Sequence, residues 1–214
     1  MAGMIVTARH GRPNVDRSVK ITAREYGYWW ANYDKTGLAP DQEAPQCLRV
    51  IASDAEKVFS STLPRSIESA AWVVEQGREV PRDAIFVEAP LPAPTFFPEF
   101  IKLTPTTWGV ISRFFWCFGF APGETENHFK ARKRVREVAD RLINEAADAE
   151  GDVLLCAHGY LNWMIHGVML KRGWELVDHQ GGNNYWSHRA YRPGKKAETA
   201  AQQQPAARAS VAAE

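Results

Sequence analysis

Three short apolar runs in this chain each end directly in a cluster of polar residues. The runs lie at about 4–8, 57–61 and 153–157. A short run that is apolar at nearly every position indicates a β-strand buried on both faces, which is typical of a parallel sheet covered by helices. The pattern therefore favours a layered fold in which polar residues collect at one edge of a central sheet.

Helical patterns separate these runs. Thr22 and Glu25 have the spacing of a capping box, which predicts a helix that extends to about Gly37. Pro64 suits the first turn of a helix and Gly77 suits the position after its end, so a second helix is predicted between them. Further helices are predicted at about 46–54, at 124–149 and from 159 to 173.

The complete order of elements predicts the fold class. Two more strands are expected, at about 84–87 and within 183–193. Strands that alternate with helices indicate an α/β fold, here a three-layer α/β/α sandwich with a mostly parallel central sheet. The length of 214 residues and the hydrophobic content of 45% suit one domain with one sizeable core. We expect this domain to cover residues 1–192.

Two segments depart from the alternation. Residues 89–123 combine six prolines with nine phenylalanine and tryptophan residues. We expect this segment to be an inserted cap over one end of the sheet, with most of its aromatic side chains in a core and a few facing a pocket. From about residue 193 the chain is rich in alanine and glutamine and poor in large apolar residues, so residues 193–214 are predicted to be a disordered tail.

The balance of charge excludes a general attraction to polyanions. The chain has 26 Lys and Arg residues against 25 Asp and Glu residues, a net charge of +1. We therefore expect neither nucleic acid nor a membrane surface as a partner. The basic run at 130–137 is followed by acidic residues and is typical of a solvated helix face. Any phosphate binding must come from a local cluster.

Cysteine usage and the apolar runs narrow the class further. The three cysteines are widely spaced and form no CxxC pair, which favours neither a disulfide framework nor a zinc site. We expect a cytoplasmic protein with reduced thiols and with no metal or cofactor. The first residues lack the pattern of a signal peptide. The run 110–120 contains Arg113 and is too short to span a bilayer. The oligomeric state and the natural substrate are not indicated.

The polar clusters after three of the strands are expected to meet. In open parallel sheets, ligands bind beyond the carboxyl ends of the strands. That rule brings His10 and Arg9 close to Arg65 and His158, although the two ends of this set are far apart in the sequence. Guanidinium groups match the oxygens of a phosphoryl group, and the start of a helix offers free N–H groups. The clusters therefore predict a phosphate site.

Three motifs resemble the signatures of a known family. They are ARHGRP at 8–13, SSTLPRSIESA at 60–70 and LLCAHG at 154–159. In this order they are similar to the signatures of the histidine phosphatase superfamily, branch 1, which has the phosphoglycerate mutase-like fold. The resemblance covers residues 4–190. It implies a small phosphorylated substrate, and no cofactor.

The resemblance also implies a role for each site residue. His10 would be the nucleophile that becomes phosphohistidine, and Arg9, Arg65 and His158 would bind the phosphate. Glu88 lies after the predicted third strand, where the family has its proton donor. Arg12 either joins the phosphate site or lies on the surface.

Elementary chemistry supports these roles. Cations beside an imidazole favour its neutral form, which is the nucleophile. A phosphate dianion favours the protonated form of a nearby carboxyl, and general acid help of this kind is worth a factor of roughly 10² to 10⁴. Structural alternatives exist for each residue: His10 and His158 as satisfied turn residues, and Glu88 as a cap of a neighbouring loop.

Three functions are compatible with these residues. The first is a metal-independent phosphomonoesterase that works through phosphohistidine. The second is phosphoglycerate mutase-type transfer, which is disfavoured because Pro13 and Asp16 replace the serine and asparagine that mutases of this family place in the first motif. The third is a non-catalytic regulatory or scaffold protein that uses the aromatic cap as an interface.

Overall fold

Five strands form one mixed sheet in the order β2-β3-β1-β5-β4 in this computed structural model, which describes residues 3–203. The strands are β1 (Ile5–Arg9), β2 (Ala55–Ser60), β3 (Asp152–Ala157), β4 (Trp174–Gln180) and β5 (His188–Pro193). β2, β3 and β1 are parallel neighbours, whereas β5 is antiparallel to both β1 and β4. Four strands therefore point the same way, which confirms the predicted mostly parallel sheet.

Helices cover both faces of the sheet within the described residues. They are α1 (Ala23–Lys35), α2 (Gln46–Asp54), α3 (Pro64–Val73), α4 (Pro105–Cys117), α5 (His128–Asp148), α6 (Gly159–Lys171) and α7 (Lys195–Gln203). The capping box predicted at the start of α1 is present, with the Thr22 side chain and the Glu25 side chain each bonded to the other residue's backbone N–H. Pro64 occupies the first turn of α3, as predicted.

The two cores follow from the alternation of side chains along the strands. Ile5 and Leu155 pack on one face with the apolar sides of α5 and α6. Val6 and Leu154 point to the opposite face and pack with α2 and α3. Because successive side chains of a strand point to opposite faces, consecutive apolar residues of one strand contribute alternately to the two cores. This arrangement is the expected α/β/α sandwich.

The predicted strand at 84–87 is wrong. Residues Ala84–Phe86 form a single turn of 3₁₀ helix, which Asp83 begins by accepting a hydrogen bond from the N–H of Ile85 at 2.9 Å. The side chain of Arg134 in α5 donates to the carbonyls of Ile85 and Val87. Since a side chain satisfies these backbone groups, the segment needs no neighbouring strand. Its apolar appearance comes from packing in the core, where Phe86 is fully buried.

The sequence also missed β4 and the helix that follows the sheet. β4 is an edge strand with mostly exposed residues, so it lacks the apolar pattern of the inner strands. The prediction of a disordered tail from residue 193 is wrong for Lys195–Gln203, which form α7 and place Ala197 against the core. The rest of the predicted tail, 204–214, lies outside the described residues.

The 89–123 segment packs mainly on α1. Trp108 of α4 and Tyr26 of α1 are fully buried in a third apolar cluster, and the Trp108 indole N–H donates to the carbonyl of Ile21 at 2.7 Å. Phe114 and Phe118, on the outer side of α4, are 59% and 79% exposed. None of the helices within residues 3–203 is both long and apolar enough to cross a bilayer.

Removing a side chain from the inner sheet is expected to cost much more stability than removing one from its edge. Leu155 is fully buried on β3, whereas Leu176 on β4 is 39% exposed. We expect Leu155→Ala to lower the free energy of unfolding by about 2 to 5 kcal/mol because it leaves a cavity, and Leu176→Ala by under about 1 kcal/mol. Urea unfolding followed by circular dichroism measures both; equal losses would contradict the assigned topology.

Candidate active site

His10 follows β1 directly and is held by the neighbouring strand. Its backbone N–H donates to the carbonyl of Ala157 at 3.0 Å, and its side chain is buried, with 2% of the residue exposed. The ring atom Nδ1 lies 2.7 Å from the carbonyl oxygen of Gly11. A carbonyl oxygen can only accept, so Nδ1 carries the proton and Nε2 keeps the free lone pair of the neutral ring.

The surroundings of His10 favour that neutral form. Burial lowers the pKa of His10 well below its ordinary value, and the positive charges of Arg65 and Arg9 lower the pKa further, whereas the hydrogen bond to Gly11 acts in the opposite direction. At neutral pH the imidazole is therefore an uncharged group with an available lone pair.

The turn after His10 requires a glycine. A Cβ atom at Gly11 would overlap the indole ring of Trp186, which packs directly on the turn. Trp186 itself adopts a left-handed backbone conformation with a φ of 61°, which is rare for a bulky residue. Its backbone N–H donates to the His10 carbonyl at 3.3 Å, and its indole N–H donates to Gln42 at 2.9 Å. The 183–187 loop thus supports the turn that positions the imidazole.

His158 lies beside His10 because β1 and β3 are parallel neighbours. It is the N-cap residue of α6 and is fully buried, and its ring centroid is 5.3 Å from that of His10. Nε2 lies 2.7 Å from the hydroxyl of Ser61, whereas Nδ1 has no partner in the described structure. Burial lowers the pKa of His158 well below its ordinary value, and Arg65 and His10 lower it further.

Arg65, in the first turn of α3, brings a buried positive charge to this pair. The residue is fully buried, and its guanidinium lies 4.3 Å from the ring centroid of Tyr33. It donates to the Tyr33 carbonyl at 3.2 Å and to the carboxylate of Asp34 at 3.1 Å, while its Nε has no partner. A cation at a helix start opposes the helix dipole, so aromatic and carboxylate partners are needed to hold it there.

Arg9, the last residue of β1, adds a second cation. Its guanidinium lies 4.6 Å from the ring centroid of Tyr185 and donates to the carbonyl of Asn183, while Nε is buried without a partner. A Cβ atom at Gly159 would lie 3.0 Å from that Nε. The glycine of the third motif therefore lets Arg9 lie against the start of α6.

Glu88 closes the site from the side of the cap. One carboxylate oxygen accepts from the N–H of Ala89 at 2.9 Å and of Leu161 at 2.8 Å, and the other accepts from the N–H of Tyr160 at 3.1 Å. The carboxyl group therefore caps the first turn of helix α6, whereas the structural alternative expected it to cap a neighbouring loop, and it also lines the cavity in front of His10. Both features fit one side chain.

One cavity of about 490 Å³ lies in front of these residues. His10, Arg9, Arg65 and Glu88 line it, and so do five residues at one face of α4: Pro105, Thr106, Gly109, Val110 and Arg113. Its lining contains four arginines but only one carboxylate. A larger cavity, of about 580 Å³ between α5 and α6, contains none of the predicted site residues. The chemistry therefore points to the smaller cavity, as a site for an anion.

Arg12 does not reach this cavity. Its guanidinium pairs with Asp41 at 2.6 Å, and its side chain is 47% exposed. Of its two predicted positions, the surface is the one the structure shows, because Asp41 offers a partner away from the site. Ser61 binds His158 and accepts from the N–H of Leu63 at 3.3 Å, so it supports the second histidine.

The sequence missed two arginines and a loop of the site. Arg17 and Arg113 both line the cavity, and Asn183 and Tyr185 hold Arg9. Arg113 could have been recognised from the sequence, because a single cation within the apolar run 110–120 indicates a buried or functional charge. Arg17 lies in an irregular segment with no periodicity, so only the folded chain reveals it. Within the described residues no cluster of His, Cys, Asp and Glu is arranged to hold a metal ion.

Several solved structures share this fold. A mycobacterial hydrolase is 18% identical with a TM-score of 0.56, and the alignment covers 88% of each chain. A mycobacterial glucosyl-3-phosphoglycerate phosphatase in complex with VO₃ is 21% identical with a TM-score of 0.51, over 79% of this chain and 83% of that chain. A phosphoserine phosphatase from Entamoeba histolytica in complex with 3-phosphoglyceric acid is 13% identical with a TM-score of 0.51, over 91% and 99%. At these identities the likeness concerns the fold.

The sequence comparisons add the family. No curated protein matches the chain. The family model of the histidine phosphatase superfamily (branch 1) matches residues 34–201. The match begins after His10 but includes Arg65, Glu88 and His158. With the first motif in the expected place beside them, the resemblance seen in the sequence is confirmed: the chain belongs to the histidine phosphatase superfamily, branch 1.

Proposed function

We propose that the protein is a metal-independent phosphatase that hydrolyses phosphomonoesters through a phosphohistidine on His10. The observation that carries the proposal is the position of that imidazole: the Gly11 carbonyl holds Nδ1, which leaves Nε2 free, and the ring lies at the wall of a cavity lined by four arginines. Family membership supports the same chemistry. A binding protein would need the cations but would not need a nucleophile.

Arg9, Arg65 and His158 would bind the phosphoryl group. The Nε atoms of Arg9 and Arg65 and the Nδ1 of His158 are buried without partners. Arg9 and Arg65 both line the cavity, so acceptor oxygens of a phosphoryl group would pair with their guanidinium donors. His158 is fully buried beside His10 and is not part of the lining. Guanidinium groups stabilise the charge that spreads over the oxygens of a transferring phosphoryl group. Positive side chains thus fill the role that a metal has in other phosphatases.

In the first step His10 Nε2 would attack phosphorus while the ester P–O bond breaks. Glu88 Oε2 accepts only one backbone N–H and can also carry a proton, which it would give to the leaving oxygen, so that the alcohol departs neutral. The ring gains positive character on phosphorylation, and the carbonyl of Gly11 at Nδ1 stabilises it. In the second step the ionised Glu88 takes a proton from water, the water oxygen attacks phosphorus, and the P–N bond breaks to release phosphate and restore His10.

The mutase alternative finds no support in the first-motif segment. Asp16, at the position of the mutase asparagine, accepts hydrogen bonds from the backbone and hydroxyl of Ser18 at 2.7 and 2.6 Å and lies outside the cavity lining. Pro13 has no side-chain donor for a substrate.

We also propose a reducing, cytoplasmic location, because the three cysteines are unpaired.

Replacing the nucleophile tests the proposal directly. We expect His10→Asn to lower the hydrolysis of p-nitrophenyl phosphate, measured with EDTA present, by a factor of at least about 10³. His179→Asn, at an exposed histidine, is the control and should retain activity. Rapid quenching of the wild type with a ³²P-labelled ester should trap an acid-labile phosphoenzyme that the variant lacks. Wild-type inertness toward a panel of monoesters between pH 5 and 8 would refute the function.

Replacing the proton donor should affect poor leaving groups most. Glu88→Gln is expected to slow single-turnover cleavage of an alkyl phosphate by roughly 10² to 10⁴ and that of p-nitrophenyl phosphate far less, because nitrophenolate leaves without a proton. Inhibition by inorganic phosphate should change little. Glu68→Gln is the matched control, since Glu68 also accepts a backbone N–H, from Leu38 at 2.6 Å, but lies outside the cavity lining. Equal losses for both esters would remove Glu88 from this role.

The neutral state of the two histidines should be visible in stability. An imidazole in the unfolded chain has a pKa near 6.5, and in the folded chain the pKa values of His10 and His158 are well below this. Unfolding therefore takes up protons below about pH 6.5, and the free energy of unfolding falls by up to about 1.4 kcal/mol per pH unit per histidine. Urea unfolding between pH 7.5 and 5 should show a smaller fall for His10→Asn/His158→Asn. The same fall in both proteins would contradict buried neutral imidazoles.

A further inference from the structure

Arg17 lines the active-site cavity but has no role in the proposed phosphate site. Its guanidinium lies 5.1 Å from the ring centroid of Tyr33, 5.6 Å from that of Trp29 and 6.0 Å from that of Tyr185. Within residues 3–203 it has neither an ion pair nor a hydrogen bond, and its Nε is buried without a partner. Three aromatic rings therefore lie around the Arg17 guanidinium, and its N–H groups have no acceptor among the described residues.

The shared tyrosines locate Arg17 relative to the phosphate site. Tyr33 lies between Arg17 and Arg65, at 5.1 and 4.3 Å, and Tyr185 lies near both Arg17 and Arg9, at 6.0 and 4.6 Å. Arg17 is thus a neighbour of both arginines that are proposed to bind phosphate. Its effect on the pKa of His10 is smaller than theirs, which agrees with a greater distance from the imidazole.

Arg17 also faces the aromatic cluster that joins α1 to the cap. Trp29, which it faces, packs in the aromatic cluster that joins α1 to the cap. The other arginine on that side, Arg113, already donates to the carbonyls of Pro90 at 3.1 Å and Ala89 at 3.0 Å. Arg17 is therefore the cation of the described cavity lining that keeps its donors for a ligand on the cap side.

We propose that Arg17 forms a second anion subsite, which binds a carboxylate or phosphoryl group on the leaving-group side of the substrate. The inference rests on the proposed function and makes it narrower: the substrates are phosphomonoesters whose alcohol carries a further negative charge. A neutral alkyl phosphate then uses the phosphate site alone. An anionic one gains a charge-assisted hydrogen bond from Arg17 in addition.

A three-carbon substrate series tests the subsite. Propyl phosphate has no second anion, 3-phosphooxypropanoate adds a carboxylate, and propane-1,3-diyl bisphosphate adds a phosphoryl group. We expect the wild type to have a higher kcat/KM for the anionic esters than for propyl phosphate, and the better of the two identifies the group that Arg17 binds. Arg17→Gln should lower kcat/KM for that ester by about 10- to 100-fold, mainly through KM, and leave propyl phosphate unchanged.

Two further variants control for charge and folding. Arg12→Gln removes the same charge from the same segment, but Arg12 pairs with Asp41 on the surface, so the anionic esters should be unaffected. Arg17→Lys should recover part of the lost affinity because it keeps the charge. Loss of propyl phosphate hydrolysis in Arg17→Gln would overturn the proposal, since Arg17 would then belong to the phosphate site. A wild type without preference for anionic esters would overturn it as well.

Failure of the subsite and failure of the phosphatase function give different results. If the wild type hydrolyses p-nitrophenyl phosphate, the kinetic series decides on Arg17 alone. If it hydrolyses no ester, calorimetry with 3-phosphooxypropanoate, propane-1,3-diyl bisphosphate and propyl phosphate still measures the subsite. Tighter binding of an anionic ester than of propyl phosphate, lost in Arg17→Gln, would support the subsite without catalysis. Equal binding of all three would overturn it.

Discussion

The parallel pairing of β1 with β3 is the constraint on which the site depends. It aligns Arg9 with Ala157 at the ends of the two strands, so the residues that follow, His10 and His158, leave the sheet side by side. The hydrogen bond from the His10 N–H to the Ala157 carbonyl continues the pairing one residue beyond the strand. A one-residue slip would move every side chain to the opposite face and separate the two imidazoles. The packing of the sheet therefore fixes the geometry of the proposed chemistry.

The site concentrates positive charge that the folded chain balances only in part. Tyr33 and Tyr185 lie against the guanidinium groups of Arg65, Arg17 and Arg9, and Asp34 is the carboxylate that pairs with Arg65. Aromatic faces attract cations without neutralising them. The remaining repulsion is an unfavourable contribution to folding, which a bound phosphate dianion would relieve. Large apolar cores on both faces of the sheet stabilise the fold against this contribution.

The sequence predicted the parts of this molecule that obey local rules. β1, β2 and β3 each contain a short, mostly apolar run, and the polar residues that follow these runs belong to short motifs, so His10, Arg65 and His158 could be picked out from the sequence. The 84–87 segment has the same apolar appearance, but Arg134, distant in sequence, satisfies its carbonyls and makes it a turn. Arg12 and Arg17 cannot be told apart locally, since only tertiary contacts direct one to Asp41 and the other to the cavity.

The two walls of the cavity belong to different structural elements, and this difference affects how substrate specificity can change. One wall stands on the central sheet, where His10 and Arg65 are almost completely buried. The other wall contains residues of α4, which packs on α1 through a separate aromatic cluster. Substitutions in α4 can therefore reshape that wall without disturbing the strand that precedes His10. In the proposed subsite, the single cation of Arg17 connects the position of the phosphoryl group to the identity of the alcohol.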